Sequence, residues 1–283
     1  MPLGRFASSL VVGGRNQAAL IVTHGLTPRQ SREVEYHAHH ADLLRDQPAL
    51  YEVLSRRKSK WWNHYWVAHA KLLAENIAGK KLLVPGCGQG TDAIVAAKLG
   101  ARVSAFDISL EMLELASRRA SDANAAIDLG VMPAERLSYQ DSTFDVVYVR
   151  DVLHHCDVAQ SIAELRRVSK DHALVVVDEL YTHSLLQRMR TAGLGRWLYR
   201  GIRPIIYGKK AYITEDERKL DERDLSVLVE ALSEVRIEYF NVVVNRFVPG
   251  WDAAEMADRV LMKCLPGRIV AGRFVLTGRI RKG

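Results

Sequence analysis

Cysteine is scarce in this chain: Cys87, Cys156 and Cys264 are its only three in 283 residues, and no two form a Cys-x-x-Cys pair. That spacing supplies neither a disulfide framework nor a cysteine-based zinc site, and it suits a reducing compartment, so a cytoplasmic location is expected. Long apolar runs are also missing. None reaches the roughly 18 uninterrupted residues of a spanning helix, and Ala18–Val22 is too short for a signal-peptide core. Residues 1–32 contain no acid but carry Arg5, Arg15, Arg29 and Arg32, a composition shared with organelle transit peptides; a flexible start is the alternative. No repeat or low-complexity linker breaks the chain. The formal net charge of +7 raises the question of nucleic acid. Basic and acidic residues alternate along most of the sequence, however, and no RNA-binding module is visible, which argues against that partner.

What is present is a hydrophobic content of 48%, enough for one large α/β core with a cap. Its most informative stretch runs Lys81-Leu-Leu-Val-Pro-Gly-Cys-Gly-Gln-Gly90. Leu82–Val84 reads as a short strand and Thr91–Leu99 as a helix stopped by Gly100, which puts the glycines at a strand-to-helix turn. Without side chains there, backbone N–H groups can approach a ligand closely. Arg102–Phe106 reads as a second strand ending at Asp107, which lies 21 residues after Gly86. An acid at roughly 20 residues is placed to reach a ribose hydroxyl. A nicotinamide dinucleotide asks for Gly-x-Gly-x-x-Gly, whereas Gly86-x-Gly88-x-Gly90 is followed by Thr91, so an oxidoreductase is disfavoured.

The glycine turn resembles motif I of the class I S-adenosylmethionine-dependent methyltransferases. The likeness continues in order through Gly130-Val-Met-Pro-Ala-Glu-Arg-Leu137, Asp141-Ser-Thr-Phe-Asp-Val-Val-Tyr-Val149 and Leu153-His-His155, then Leu165-Arg-Arg-Val168 and Ala173-Leu-Val-Val-Val-Asp178. The resemblance implies an α/β fold with a seven-stranded, mostly parallel Rossmann-like sheet. It also implies S-adenosylmethionine as cofactor, held by Gly86, Cys87, Gly88, Gly90, Asp107, Ile108, Ala134, Glu135 and Arg150. The acceptor is expected to be a small molecule. The favoured target is a hydroxyl of an aromatic, quinone-like, polyketide or sugar-bearing metabolite, with C- or N-methylation and a non-catalytic cofactor-binding regulator as alternatives. The Asn/Asp-Pro-Pro-aromatic pattern that serves exocyclic base nitrogens is absent after the fourth strand. Two family acids are replaced, by Val84 before the glycines and by Pro133 before Ala134-Glu135, which removes two polar anchors unless Asp92, Glu135 or backbone groups compensate.

Around this core, residues 1–79 are read as a flexible start and a helical cap, and 80–283 as the core with a lid inserted at about 181–230. Ser31–Ala74 looks helical and rich in histidine and aromatics. Within it Glu35-Tyr-His37 resembles the Glu-x-aromatic-His opening of many small-molecule methyltransferases, which makes Tyr36 and His37 pocket candidates. His37 and His40 are three apart on one helical face, yet zinc sites normally add cysteine or carboxylate partners with tighter motif spacing, so no metal is expected. The Trp61, Trp62 and Trp66 group suits core packing better than a substrate cage. In 185–210 arginines alternate with apolar residues, which fits a lid over a hydrophobic or anionic acceptor, peripheral contact with an anionic membrane, or an amphipathic helix packed on the core. Val235–Val244, Ala253–Leu265 and Arg273–Ile280 read as strand, helix and strand, and the resemblance implies that the last is inserted antiparallel. Past the fourth strand, His154 and His155 are candidate general bases and Asp151 a candidate orienting carboxylate.

Overall fold

The computed structural model describes residues 26–47, 60–185, 188, 218–240, 252–264 and 266–282. Two helices lead, α1 (Pro28–Leu44) and α2 (His64–Glu75). Alternating units follow: β1 (Lys81–Pro85), α3 (Thr91–Lys98), β2 (Arg102–Asp107), α4 (Leu110–Asp122), β3 (Ile127–Val131) and β4 (Phe144–Arg150). After β4 come a single 3-10 turn (Leu153–His155), α5 (Val158–Val168) and β5 (Ser169–Leu180). Then follow α6 (Glu222–Glu230), β6 (Leu232–Phe240), α7 (Asp252–Cys264), α8 (Gly267–Val270) and β7 (Arg273–Ile280).

The seven strands form one sheet in the order β3-β2-β1-β4-β5-β7-β6. β1 to β5 are parallel, and β7 slots antiparallel between β5 and β6. Its residues alternate between two cores. Leu83, Phe106, Val147, Val149, Val177 and Phe274 face one side, while Leu82, Val84, Ala105, Val146, Tyr148 and Val176 face the other. Helices on both faces explain why the central strands read as unbroken apolar runs rather than as polar-apolar alternation. Strand order reverses at β1 and β4, and at such a switch point the carboxyl ends of neighbouring strands open a crevice for a ligand.

The sequence expected a single helical stretch over Ser31–Ala74; the structure has α1 and α2, with 48–59 outside the described residues. Each helix carries its own start signal. Thr27 and Gln30 form a capping box ahead of Pro28, and the Asn63 side chain accepts the Trp66 N–H. Asn76 in the left-handed region stops α2. The expected strand to Val244 is described to Phe240, and the expected helix Ala253–Leu265 is α7. Most of the lid candidate, 186–187 and 189–217, lies outside the described residues. No helix among the described residues is long and apolar enough to cross a membrane.

Candidate active site

A cavity of about 250 Å³ opens at the switch point, over the carboxyl ends of β1, β2, β3 and β4 and beneath α1. Its floor is the glycine turn. Gly86, Gly88 and Gly90 all have positive φ, which side chains rarely adopt. Their surroundings differ. A Cβ on Gly86 would overlap Val152 of the post-β4 loop, and one on Gly90 would sit 2.9 Å from the Ala116 Cβ of α4. At Gly88 nothing lies within 4 Å, so a methyl there would project into open space. Gly90 therefore serves helix packing rather than the cavity wall, which it does not line. The sequence reading had placed it with the cofactor.

Asp107 ends β2 nearly buried on the same wall. Its Oδ2 accepts the Gly88 N–H at 2.8 Å and its Oδ1 the Ser109 N–H at 3.0 Å. A carboxylate offers about four lone-pair sites. Each oxygen thus keeps acceptor capacity while the two backbone bonds fix its orientation. Cys87 lies between the glycines with its thiol pushed well up by burial and by Asp107, so it is neutral and acts as packing. Ile108, Met132, Pro133 and Ala134 add an apolar slot beside Asp107.

The roof is α1. Gln30 Nε2 donates to Glu135 Oε2 at 3.0 Å, and the other oxygen of Glu135 accepts the Asp157 N–H at 2.9 Å. Glu135 lines the cavity, but its carboxylate latches the cap to the core instead of standing free for a ligand. Asp92 is similarly engaged, with Arg150 at 2.8 Å and His69 Nε2 at 3.3 Å. Burial would raise the Asp92 carboxyl, yet Arg150 and His69 outweigh it and hold it below its ordinary range. Arg150 in turn lies 5.1 Å over the Tyr65 ring. Tyr36 is not on the cavity wall; its ring packs edge-on to His37 and tilted against His40, which are the two α1 histidines that do line it.

The acid that reaches the site from α1 is Glu33, not the Glu35 of the expected opening. Glu33 is buried and Glu35 exposed. Glu33 Oε2 stands 3.1 Å from His155 Nδ1 and 3.6 Å from His37 Nε2. Burial would raise its carboxyl, but His155, His37 and Arg29 together hold it below the usual range. Its position one turn before His37 was the available signal, since i and i+4 share a helix face.

The two histidines after β4 separate into different roles. His154 is buried, and its Nδ1 lies 2.8 Å from Glu179 Oε2. Glu179, fully buried on β5, also accepts the Val152 and Leu153 N–H groups, so it pins the 3-10 turn and spends His154 on that task. His155 lines the cavity with Asp151, Val152 and Cys156. Asp151 adopts φ 52, strained for a non-glycine residue. Its Oδ1 accepts Arg273 Nη2 at 2.6 Å, and Arg273 Nη1 reaches the fully buried Asp178 at 2.8 Å. Asp178, Glu179 and Arg273 were invisible as site-supporting residues, because their partners come from distant segments.

Residues 83–177 match the family model described as a methyltransferase domain. The ubiquinone biosynthesis O-methyltransferase of Chelativorans sp. (strain BNC1) is 31% identical over 191 residues, covering 65% of this chain and 70% of that protein. The demethylmenaquinone methyltransferase of Thermobifida fusca (strain YX) is 31% identical over 148 residues, covering 51% of this chain and 62% of its own. Among solved structures, geranyl diphosphate C-methyltransferase from Streptomyces coelicolor A3(2), in complex with Mg2+, geranyl diphosphate and S-adenosyl-L-homocysteine, has a TM-score of 0.57. It is 14% identical and covers 91% of this chain and all of that one. Magnesium protoporphyrin IX methyltransferase from Synechocystis PCC 6803 with bound S-adenosyl-L-homocysteine gives 0.54 at 17% identity, covering 90% of this chain and all of its own. At those identities the solved structures speak for the fold.

Proposed function

The chain belongs to the class I S-adenosylmethionine-dependent methyltransferases, and from that premise we propose that it methylates a hydroxyl group of a small molecule, aromatic or quinone-like in the first instance. The observation that carries the oxygen assignment is His155, a cavity-wall imidazole set against the buried Glu33. The Chelativorans relative, a ubiquinone biosynthesis O-methyltransferase, supports the same acceptor class.

The cavity fits the cofactor on its own terms. Open space above Gly88 is what a close-lying ligand needs, and Asp107 presents a fixed carboxylate at the end of β2 where a ribose diol would be bound. Ile108, Met132 and Ala134 supply apolar walls for a flat ring. When bound, the cofactor supplies an electrophilic sulfonium methyl. The chain contributes placement and exclusion of water, which carry most of an in-line displacement. His155 accepts the hydroxyl proton as the oxygen attacks, and Glu33 orients its ring and offsets the charge it gains. Glu179 holds the 3-10 turn that presents His155.

A screen of hydroxylated aromatic and quinol metabolites with a methyl-labelled cofactor tests this reading. Once an acceptor is found, His155→Ala should lower turnover by roughly 10² to 10⁴ while affinity for S-adenosylhomocysteine barely changes. Full turnover in that variant would exclude general-base catalysis by His155 and favour a carbon or nitrogen acceptor that needs no proton removed.

A further inference from the structure

Glu33, His37 and His155 bring one carboxylate oxygen and two imidazole nitrogens within 4.8 Å of one another. They come from two elements: Glu33 and His37 stand one turn apart on α1, and His155 ends the 3-10 turn after β4. The Glu33 oxygen is 3.1 Å from His155 Nδ1 and 3.6 Å from His37 Nε2. Ligand bonds of about 2.0–2.2 Å place neighbouring donors about 2.9–3.5 Å apart, from octahedral to tetrahedral geometry. Two edges therefore lie at or near the required lengths already. The third, His37 to His155, is within 4.8 Å and closes by rotation of His37, whose side chain is 24% exposed.

A second triplet, Asp151, His154 and Glu179, also meets the distance condition. It is chemically different. Both Glu179 oxygens are occupied, one by the Val152 and Leu153 N–H groups and the other by His154, and Asp151 is held by Arg273. A cation there would displace the bonds that shape the turn. At Glu33 the two groups paired with Oε2 in this cluster are imidazoles, whose neutral nitrogens are metal ligands as well as hydrogen-bond donors, while Arg29 adds a nearby positive charge. All three side chains line the cavity, so open coordination positions would face it, as in three-ligand catalytic zinc sites.

We propose that Glu33, His37 and His155 form a binding site for a divalent transition-metal ion of the zinc, cobalt or nickel class, clamping α1 to the post-β4 turn at the cavity wall. Two imidazoles and one carboxylate suit these ions better than magnesium or calcium, which prefer oxygen donors throughout. The inference does not rest on the hydroxyl reading. Metal bound at Nδ1 forces the His155 proton to Nε2, so a loaded site and a proton-accepting His155 are mutually exclusive.

The test is binding of the metal alone to the full chain freed of metal with a chelator. Calorimetric titration with Zn²⁺, backed by the visible spectrum of a Co²⁺ adduct, should show one site per chain with nitrogen and oxygen ligation. His37→Ala and His155→Ala should each weaken binding by at least about tenfold, with folding checked by circular dichroism. His172→Ala, which removes an exposed imidazole on β5, should leave it unchanged. Glu33→Gln provides a variant of the same shape and should weaken binding as well. Absence of a stoichiometric site, or a site whose affinity survives both histidine variants, overturns the proposal. Neither result bears on turnover, so failure here is distinguishable from failure of the hydroxyl reading.

Discussion

The carboxylate of Asp178 holds the imidazole of His64 at 2.7 Å, joining the first turn of α2 to the carboxyl end of β5. Asp178 is fully buried and binds Arg273 through its other oxygen at 2.8 Å. Burial alone would raise its carboxyl; His64 and Arg273 reverse that and keep it well below the carboxylate range. Arg273 then passes the connection to Asp151 on the cavity wall. The cap and the site loop are thereby tied to one buried charge.

Removing that charge breaks a buried pair: His64 loses its carboxylate and the buried Arg273 guanidinium keeps only the half-buried Asp151 as counter-charge. Asp178→Ala should destabilise the protein by about 3 to 5 kcal/mol, read as a lower urea midpoint. Hydrogen exchange should show α2 opening more readily. A loss within about 0.5 kcal/mol, the range of ordinary surface substitutions, would mean the network contributes little.

The glycine turn separates a folding effect from a binding effect. Gly86→Ala forces a methyl into Val152, whereas Gly88→Ala adds only the cost of a left-handed backbone, about 1 to 2 kcal/mol. Thermal unfolding should therefore rank Gly86→Ala as the less stable of the two. Calorimetry should find that Gly88→Ala, though folded, binds S-adenosylhomocysteine more weakly. Equal stability of the two variants with undiminished binding at Gly88→Ala would contradict this division of labour.

Much of this arrangement was legible in the chain. The glycine turn, the acid at Asp107 and the alternation of strand and helix through Asp178 depend on local patterns, and the family resemblance those patterns carry implied the parallel core and the inserted antiparallel strand β7. Local pattern stops at pairings between distant segments. Nothing near His154 reveals that Glu179 will claim it, so the two adjacent histidines looked equivalent until burial divided them. The same holds for Glu33, which lies outside the Glu35-Tyr-His37 motif: a motif fixes spacing but not which helix face turns inward. Gly90 was assigned to the ligand when its neighbour is Ala116 of α4. Glu135 and Asp92, offered in place of the missing family acids, are engaged by Gln30, Arg150 and His69.

At the far end of α2, Glu75 accepts from Arg279 on β7 at 2.7 Å and from Lys80 at 2.8 Å. The Arg279 hydrogen bond, with Lys80 adding to it against some burial, lowers the carboxyl from 4.5 to about 2. A depressed folded value stabilises above the unfolded value of 4.5 and is lost as pH falls toward 2. The stability difference between the wild type and Glu75→Gln should therefore be largest near neutral pH and shrink between about pH 4.5 and 2. Urea midpoints measured across that window check it. A difference independent of pH would show that the pair is not linked to folding in this way.

The most direct measurement of the central claim, that the cavity between the glycine turn and α1 holds the cofactor, is calorimetric titration with S-adenosylhomocysteine. The wild type should bind one equivalent. Asp107→Ala, which removes the carboxylate fixed by Gly88 and Ser109, should bind about 1 to 3 kcal/mol more weakly, roughly 5- to 150-fold. No binding to the wild type, or an affinity unchanged by loss of the Asp107 carboxylate, would contradict the assignment of this site.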